Sequence, residues 1–113
     1  MIIVDDHSGF RSWARALLET EGFEVVGEAE DGESALAAVH QLQPRIVLLD
    51  IQLPDIDGFE VAERLAQAGE PPAVVLISTR DVSSYRRRLA RSRVCGFVSK
   101  SELSGNAISA LVS

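Results

Sequence analysis

The 113 residues hold one cysteine, one tryptophan, one tyrosine and one lysine, and the scarcities exclude whole classes of protein. A single Cys95 cannot close an internal disulfide, so a stapled secreted scaffold is ruled out. Four prolines and eight glycines are too few for a collagenous or low-complexity chain. Long hydrophobic runs are missing as well: none approaches the roughly 18 residues of a membrane span. The opening MIIVDDH lacks the basic segment and apolar core of a secretory signal. What is present is 46% hydrophobic and 25% charged residues, too apolar for disorder and enough for one domain around one core. The expected compartment is the cytoplasm.

The net charge of −6 is unevenly distributed. Residues 1–79 carry 15 Asp or Glu against four Arg, whereas residues 80–113 carry six Arg and Lys100 against Asp81 and Glu102. The chain therefore joins an acidic front to a basic back.

Short β-branched runs alternate with segments of helical period, the pattern of parallel strands joined by crossover helices. Strands are expected at 1–5, 23–29, 45–50, 73–78 and 94–99. IVLLD and AVVLIS are apolar at nearly every position, which suits strands covered on both faces. Run 23–29 reads as an edge. The first helix carries Phe10, Trp13, Ala14, Leu17 and Leu18 at helical spacing, with Ser8 as its cap, Gly22 as its stop and Trp13 as a packing residue. Further helices are expected at 33–42, 59–68, 83–91 and 102–112. The fourth has only Tyr85, Leu89 and Ala90 to bury and should be the least firmly anchored. Cys95 is expected to pack inside the fifth strand. Five such units fit a flavodoxin-like (βα)5 doubly wound, five-stranded parallel sheet of order 2-1-3-4-5, in which ligands bind beyond the carboxyl ends of the strands.

Those ends deliver Asp5 and Asp6, then Asp50, then Ser78 and Thr79, then Ser99 and Lys100. Three carboxylates in one crevice repel one another and raise each other's pKa unless a cation is present. A hard divalent ion, most simply Mg²⁺, suits them. A lysine and a hydroxyl beyond a metal-charged carboxylate are suited to hold phosphoryl oxygens, and an aspartate can itself take the phosphoryl group as an acyl phosphate.

With the Asp5-Asp6 pair, Asp50 within LLDIQLPDIDG, Ser78 after AVVLI, and Phe97 and Lys100 within GFVSK, the chain resembles the receiver domain of bacterial two-component response regulators over essentially its whole length. The resemblance implies that Asp50 is the phosphoacceptor. It implies that Asp6, Asp50 and the Gln52 backbone carbonyl ligate Mg²⁺ or Mn²⁺, with Asp5 acting through a metal-bound water, and that Ser78 and Lys100 hold the phosphoryl oxygens. Ser78 and Phe97 would form the switch, and Gln52 and Arg80 would tune phosphoryl lifetime. The output surface would be the fourth helix, fifth strand and fifth helix, where Arg86, Arg87, Arg88, Arg91 and Arg93 lie. The implied partners are a sensor histidine kinase and a second copy of the chain, joined through that surface or through the first and fifth helices. Residues 1–113 would then be a receiver domain, alone or as the front of a longer transcriptional regulator. DNA would be reached only through a helix-turn-helix domain beyond it, because a reading helix and stacking aromatics are absent here.

One position departs from the family. Many receivers have proline after the lysine, and here Ser101 follows Lys100. His7, beside the acidic pair, reads as a loop residue near a helix start, and His40 as a helix-surface residue. Two other functions compete with the switch. One is a phosphorylation-independent receiver-like scaffold, against which the intact acidic set argues. The other is a Mg²⁺-dependent phosphatase, which wants a second carboxylate where Gln52 stands. The protein is expected to catalyse its own modification rather than turn over a substrate.

Overall fold

In the computed structural model, which describes residues 1–112, parallel strands and helices alternate along the chain. Strand β1 (Ile2–Val4) leads to helix α1 (Ser8–Thr20), β2 (Gly27–Ala29) to α2 (Gly32–Leu42), and β3 (Ile46–Asp50) to α3 (Gly58–Ala66). Strand β4 (Ala73–Ser78) is followed by a 3₁₀ turn (Val82–Ser84) and α4 (Arg86–Ala90), and β5 (Gly96–Ser99) by a second 3₁₀ turn (Lys100–Glu102) and α5 (Gly105–Val112). The strands pair in the order β2-β1-β3-β4-β5, as expected for the flavodoxin-like sheet. Successive connections therefore diverge between β1 and β3, and the crevice opens above their carboxyl ends.

The core follows the two-residue period of a strand. Ile2, Val4, Val47, Leu49, Val74 and Leu76 face α2 and α3, packing with Ala35, Val39, Val61 and Leu65. Their neighbours Ile3, Leu48, Val75 and Ile77 face α1 and α5, packing with Ala14, Leu18 and Ile108. Covering both faces explains why the central strands are apolar at nearly every position. In the central strands β1, β3 and β4, polar groups appear only where the strands run out.

Helix starts are held by acidic side chains. Asp31 caps α2 through the Ser34 amide, and Asp57 caps α3 through the Phe59 amide. The Gly32 and Glu33 amides donate to the carboxylate of Asp55, 23 and 22 residues away in sequence, which ties the β3–α3 loop to α2. Gly58 lies so close to the end of β3 that a Cβ there would stand 2.7 Å from the Ile51 Cα and closer still to the Asp50 carbonyl.

Several sequence expectations are corrected. Ser8 is the first residue of α1 rather than its cap; His7 holds that position, with no side-chain capping bond. Gly22 does end the segment, at φ +97°, where a glycine is needed. Trp13 is 51% exposed, because Phe10, Ala14, Leu17 and Leu18 already fill the inward stripe and leave it beside Phe10, with ring centroids 5.8 Å apart. The edge strand is three residues long rather than 23–29, since the Phe23 amide is taken by the Leu18 carbonyl and the Val25 carbonyl by Arg15. The third helix ends at Ala66 and not at residue 68. The fourth is broken at Tyr85, and Ala90 is exposed. The fifth begins at Gly105, because Leu103 is extended and the Ser104 hydroxyl accepts from the Ala107 amide. Cys95 is exposed and precedes β5, contributing its amide to the Val74 carbonyl. No described helix is long and apolar enough to cross a membrane.

Candidate functional site at the carboxyl ends of the strands

Of the expected polar set the sheet joins Asp5, Asp50 and Lys100 directly, whereas Thr79 is exposed and the Ser99 hydroxyl turns to that of Ser101. Asp5 follows β1 and is fully buried, Asp50 closes β3 at 4% exposure, and Ser78 closes β4, fully buried. Lys100, directly after β5, reaches across the crevice, its Nζ 2.5 Å from Asp5 Oδ2 and 3.1 Å from Asp50 Oδ2. The same ammonium lies 4.6 Å from the centre of the Phe10 ring on α1. The chain's single lysine thus joins the two buried carboxylates.

Asp5 is held from several sides. The His7 amide donates to its Oδ1 at 2.8 Å, and Arg11 Nη1 donates to its backbone carbonyl at 2.6 Å while Arg11 Nε pairs with Glu28. Burial by itself raises the Asp5 pKa, but the contacts with Lys100 and His7 outweigh it and hold the carboxyl below its ordinary value. For Asp50 the balance falls the other way. Burial, with the neighbouring Asp5 charge, pushes it up to about 6 against the Gln52 amide and Lys100, which pull it down. Lys100 loses charge stabilisation on burial and regains more from Asp5 and Asp50, so its pKa is raised.

This donor set suits a hard cation. Asp5 Oδ2 is the one buried side-chain oxygen among the described residues that accepts no well-aligned hydrogen bond, despite its close ion pair. Asp50 is buried, and its carboxylate shares the single Lys100 ammonium with Asp5. Asp5, Asp6 and His7 offer ligand atoms within 4.8 Å of one another. His7 is, as expected, a loop residue at the start of α1, and its Nδ1 lies 3.0 Å from Asp6 and 3.2 Å from Asp5 at the rim of the crevice. His40 is on the surface of α2 as expected.

The remaining expected residues lie around this centre. The Gln52 amide donates to Asp50 Oδ1 at 3.1 Å. Ser78 Oγ accepts from the Arg80 amide at 3.0 Å and meets the Tyr85 hydroxyl at 3.2 Å; it makes no hydrogen bond to Asp50. Phe97 is half-buried, its ring 5.9 Å from that of Tyr85. Arg80, Arg86, Arg87, Arg91 and Arg93 are exposed. Arg88 is not a free docking group, because it pairs with Asp57 at 2.8 Å and covers the Phe59 ring at 4.2 Å. The Lys100–Ser101 peptide is trans, as are the others described. Sequence reasoning missed the polar roles of Tyr85, Arg11 and Phe10. Only Tyr85 carried a hint, as a hydroxyl-bearing aromatic on a helix with little else to bury.

A family model for the response regulator receiver domain matches residues 1–112. The chain belongs to that family. BvgA of Bordetella pertussis, a virulence-factor transcription regulator by name, is 40% identical over 102 residues, which are 90% of this chain and 49% of that protein. The response regulator GacA of Pseudomonas protegens is 32% identical over 101 residues, 88% of this chain and 47% of that protein. The receiver thus spans about half the length of the curated relatives it matches. Among solved structures, the signal receiver domain of NarL from Mycobacterium tuberculosis is 31% identical, with a TM-score of 0.83 over 97% of this chain and 93% of that one. A LuxR-family response regulator from Aurantimonas is 28% identical, with a TM-score of 0.88 over 98% of this chain and 82% of that one.

Proposed function

We propose that this receiver is a phosphoacceptor switch in which Asp50 takes a phosphoryl group from a sensor histidine kinase or a small phosphodonor. The observation that carries the reading is the buried Asp5–Lys100–Asp50 arrangement at the point where the strand order diverges. Asp50 Oδ attacks the donor phosphorus. A new O–P bond forms as the donor's P–N or P–O bond breaks, and its electron pair leaves with the donor. A carboxyl with a pKa of about 6 is ionised in most molecules at neutral pH, so the nucleophile needs no separate base.

Asp5, Asp6, Asp50 and the Gln52 carbonyl would hold Mg²⁺ or Mn²⁺, with His7 at the rim. When bound, the ion neutralises charge that accumulates on the transferring group. Lys100, already placed between Asp5 and Asp50, holds one phosphoryl oxygen once the new group stands on Asp50. The Ser78 hydroxyl holds another after turning toward it. Fixed donors of this kind stabilise the transfer because they need no reorganisation at the moment of reaction. Gln52 and Arg80 flank the phosphoryl position and set how readily water reaches it.

The signal leaves through α4, β5 and α5, where Phe97 packs and the exposed arginines lie. Arginine forks suit carboxylates or phosphates on a docking partner, on a second copy of the chain, or on an output domain that follows in a longer transcriptional regulator. The test is intact mass after incubation with Mg²⁺ and acetyl phosphate. The expected result is the gain of one phosphoryl group, abolished by Asp50→Asn and by chelation of the metal. No gain, or a gain that survives Asp50→Asn, would overturn the reading.

A further inference from the structure

Across residues 79–97, which carry the 3₁₀ turn, α4 and the approach to β5, one residue is buried, and it is Tyr85. Its backbone is the junction of the two helical pieces. Tyr85 closes the 3₁₀ turn by donating its amide to the Val82 carbonyl, and it opens α4 by accepting the Leu89 amide. Its ring lies between Phe59 of α3 and Phe97 of β5, with centroids 6.1 and 5.9 Å away. Its hydroxyl meets Ser78 Oγ at 3.2 Å in a buried contact. The segment bearing Arg86, Arg87 and Arg88 is thus fastened by the buried Tyr85 and the partly buried Leu89, and of the two only Tyr85 has a polar end, which rests on the site.

We propose that Tyr85 is the positioning residue for the Ser78 hydroxyl and the link through which a phosphoryl group on Asp50 moves α4; this rests on the phosphoacceptor reading of Asp50. A serine hydroxyl has one proton to donate and two lone pairs. Here one lone pair receives the Arg80 amide. With the Tyr85 O–H filling the other, the Ser78 proton is left for an anionic oxygen. When Ser78 Oγ turns toward that oxygen, the 3.2 Å contact must lengthen unless Tyr85 follows. A buried phenol that stays behind loses its partner, which is costly away from water. Tyr85 cannot follow without carrying the junction of the 3₁₀ turn and α4 with it. Phe97 packs at a tilt against the moving ring, but it has no hydroxyl to take the Ser78 bond.

Hydrogen exchange of residues 80–92 tests the link, measured with and without acetyl phosphate and Mg²⁺, while intact mass reports loading in the same samples. The parent chain should change its exchange in this segment at least about threefold on loading. Tyr85→Phe, which keeps the ring, should still gain the phosphoryl group on Asp50, and exchange compared at matched loading should have lost most of that change. Phe97→Leu, which keeps the Ser78–Tyr85 bond, should load and keep it. Tyr85→Phe that loads and responds like the parent, or Phe97→Leu as the only variant that loses the response, would overturn the proposal. A parent chain that gains no phosphoryl group removes the phosphoacceptor reading first and this inference with it, whereas loading with an unaltered Tyr85→Phe response removes the inference alone.

Discussion

The crevice between β1, β3 and β5 and the α4 segment beside it are built on opposite terms. In the crevice, Asp5 alone receives the His7 amide, the Lys100 ammonium and, on its carbonyl, the Arg11 guanidinium. Along α4 no residue of the helix itself is buried, and Tyr85 at its start is the anchor. One region is fixed by several mutually supporting buried charges, the other by one buried aromatic residue with a partly buried Leu89 and the exposed Arg88–Asp57 pair beside it. A charge event at a rigid site acting on a loosely fastened helix is what a two-state readout requires. Removing charges should therefore act on global stability in the crevice and mainly on local mobility in α4.

The largest effect is expected for Lys100→Ala. It leaves Asp5 and Asp50 facing each other without the cation between them, and breaking a buried pair is strongly destabilising. Because the truncation lets water reach the two carboxylates, about 2–3 kcal/mol of unfolding free energy should be lost at pH 7. Urea denaturation of the metal-free protein checks this, and the loss should shrink at pH 5, where one proton shared by the carboxylates relieves the repulsion. An unchanged midpoint at pH 7 would mean that the ion pair does not hold the crevice.

Asp50→Asn should act in the opposite direction. The folded pKa of about 6 is above the ordinary carboxylate value, so the protonated carboxyl favours the fold at low pH and that contribution disappears as pH rises through 6. At face value the shift amounts to about 3 kcal/mol, reduced to about 1 kcal/mol by relaxation and water penetration around the carboxylate. The neutral amide should therefore stabilise the metal-free protein by about 1 kcal/mol at pH 7 and by little at pH 4. Asp5, whose pKa is depressed, contributes the other way: its stabilisation is present above the ordinary carboxylate range and lost as pH falls. Thermal melts of parent and variant across pH 4–8 separate the two, and added Mg²⁺ should narrow the gap by stabilising the parent.

The contrast also explains what could be read from the sequence. The central strands, their two covered faces and the meeting of Asp5, Asp50 and Lys100 follow from continuous apolar runs that end in polar residues and alternate with helical segments, and that pattern survives any detail of packing. Trp13 and Cys95 were misjudged because apolar character fixes a preference for burial but not the available room. Four neighbours of Trp13 fill the α1 stripe before it can, and Cys95 stands one residue short of β5. The Asp55 carboxylate on α2 and the Tyr85 hydroxyl on Ser78 join elements through tertiary geometry, which no local spacing encodes. The exposed arginines looked uniform in sequence, and only the fold distinguishes Arg88, which is occupied by Asp57 and Phe59.

That occupied arginine gives the finest test of the difference between the two regions. Arg88 Nη2 reaches the carboxylate that caps α3 and lays its guanidinium on Phe59, with both partners of the ion pair about half exposed. Exposed pairs and rim cation–π contacts are each small, so Arg88→Ala should cost no more than about 0.5 kcal/mol of global stability, and less in high salt. Exchange in residues 86–90 should nevertheless quicken, because α4 has so few other attachments. Arg64→Ala on α3 removes an equally exposed pair with Glu60 but leaves Val61, Ala62 and Leu65 buried, so exchange there should stay near that of the parent. Equal quickening in the two helices would show that α4 is anchored as firmly as α3, and the asymmetry between crevice and output segment would fall.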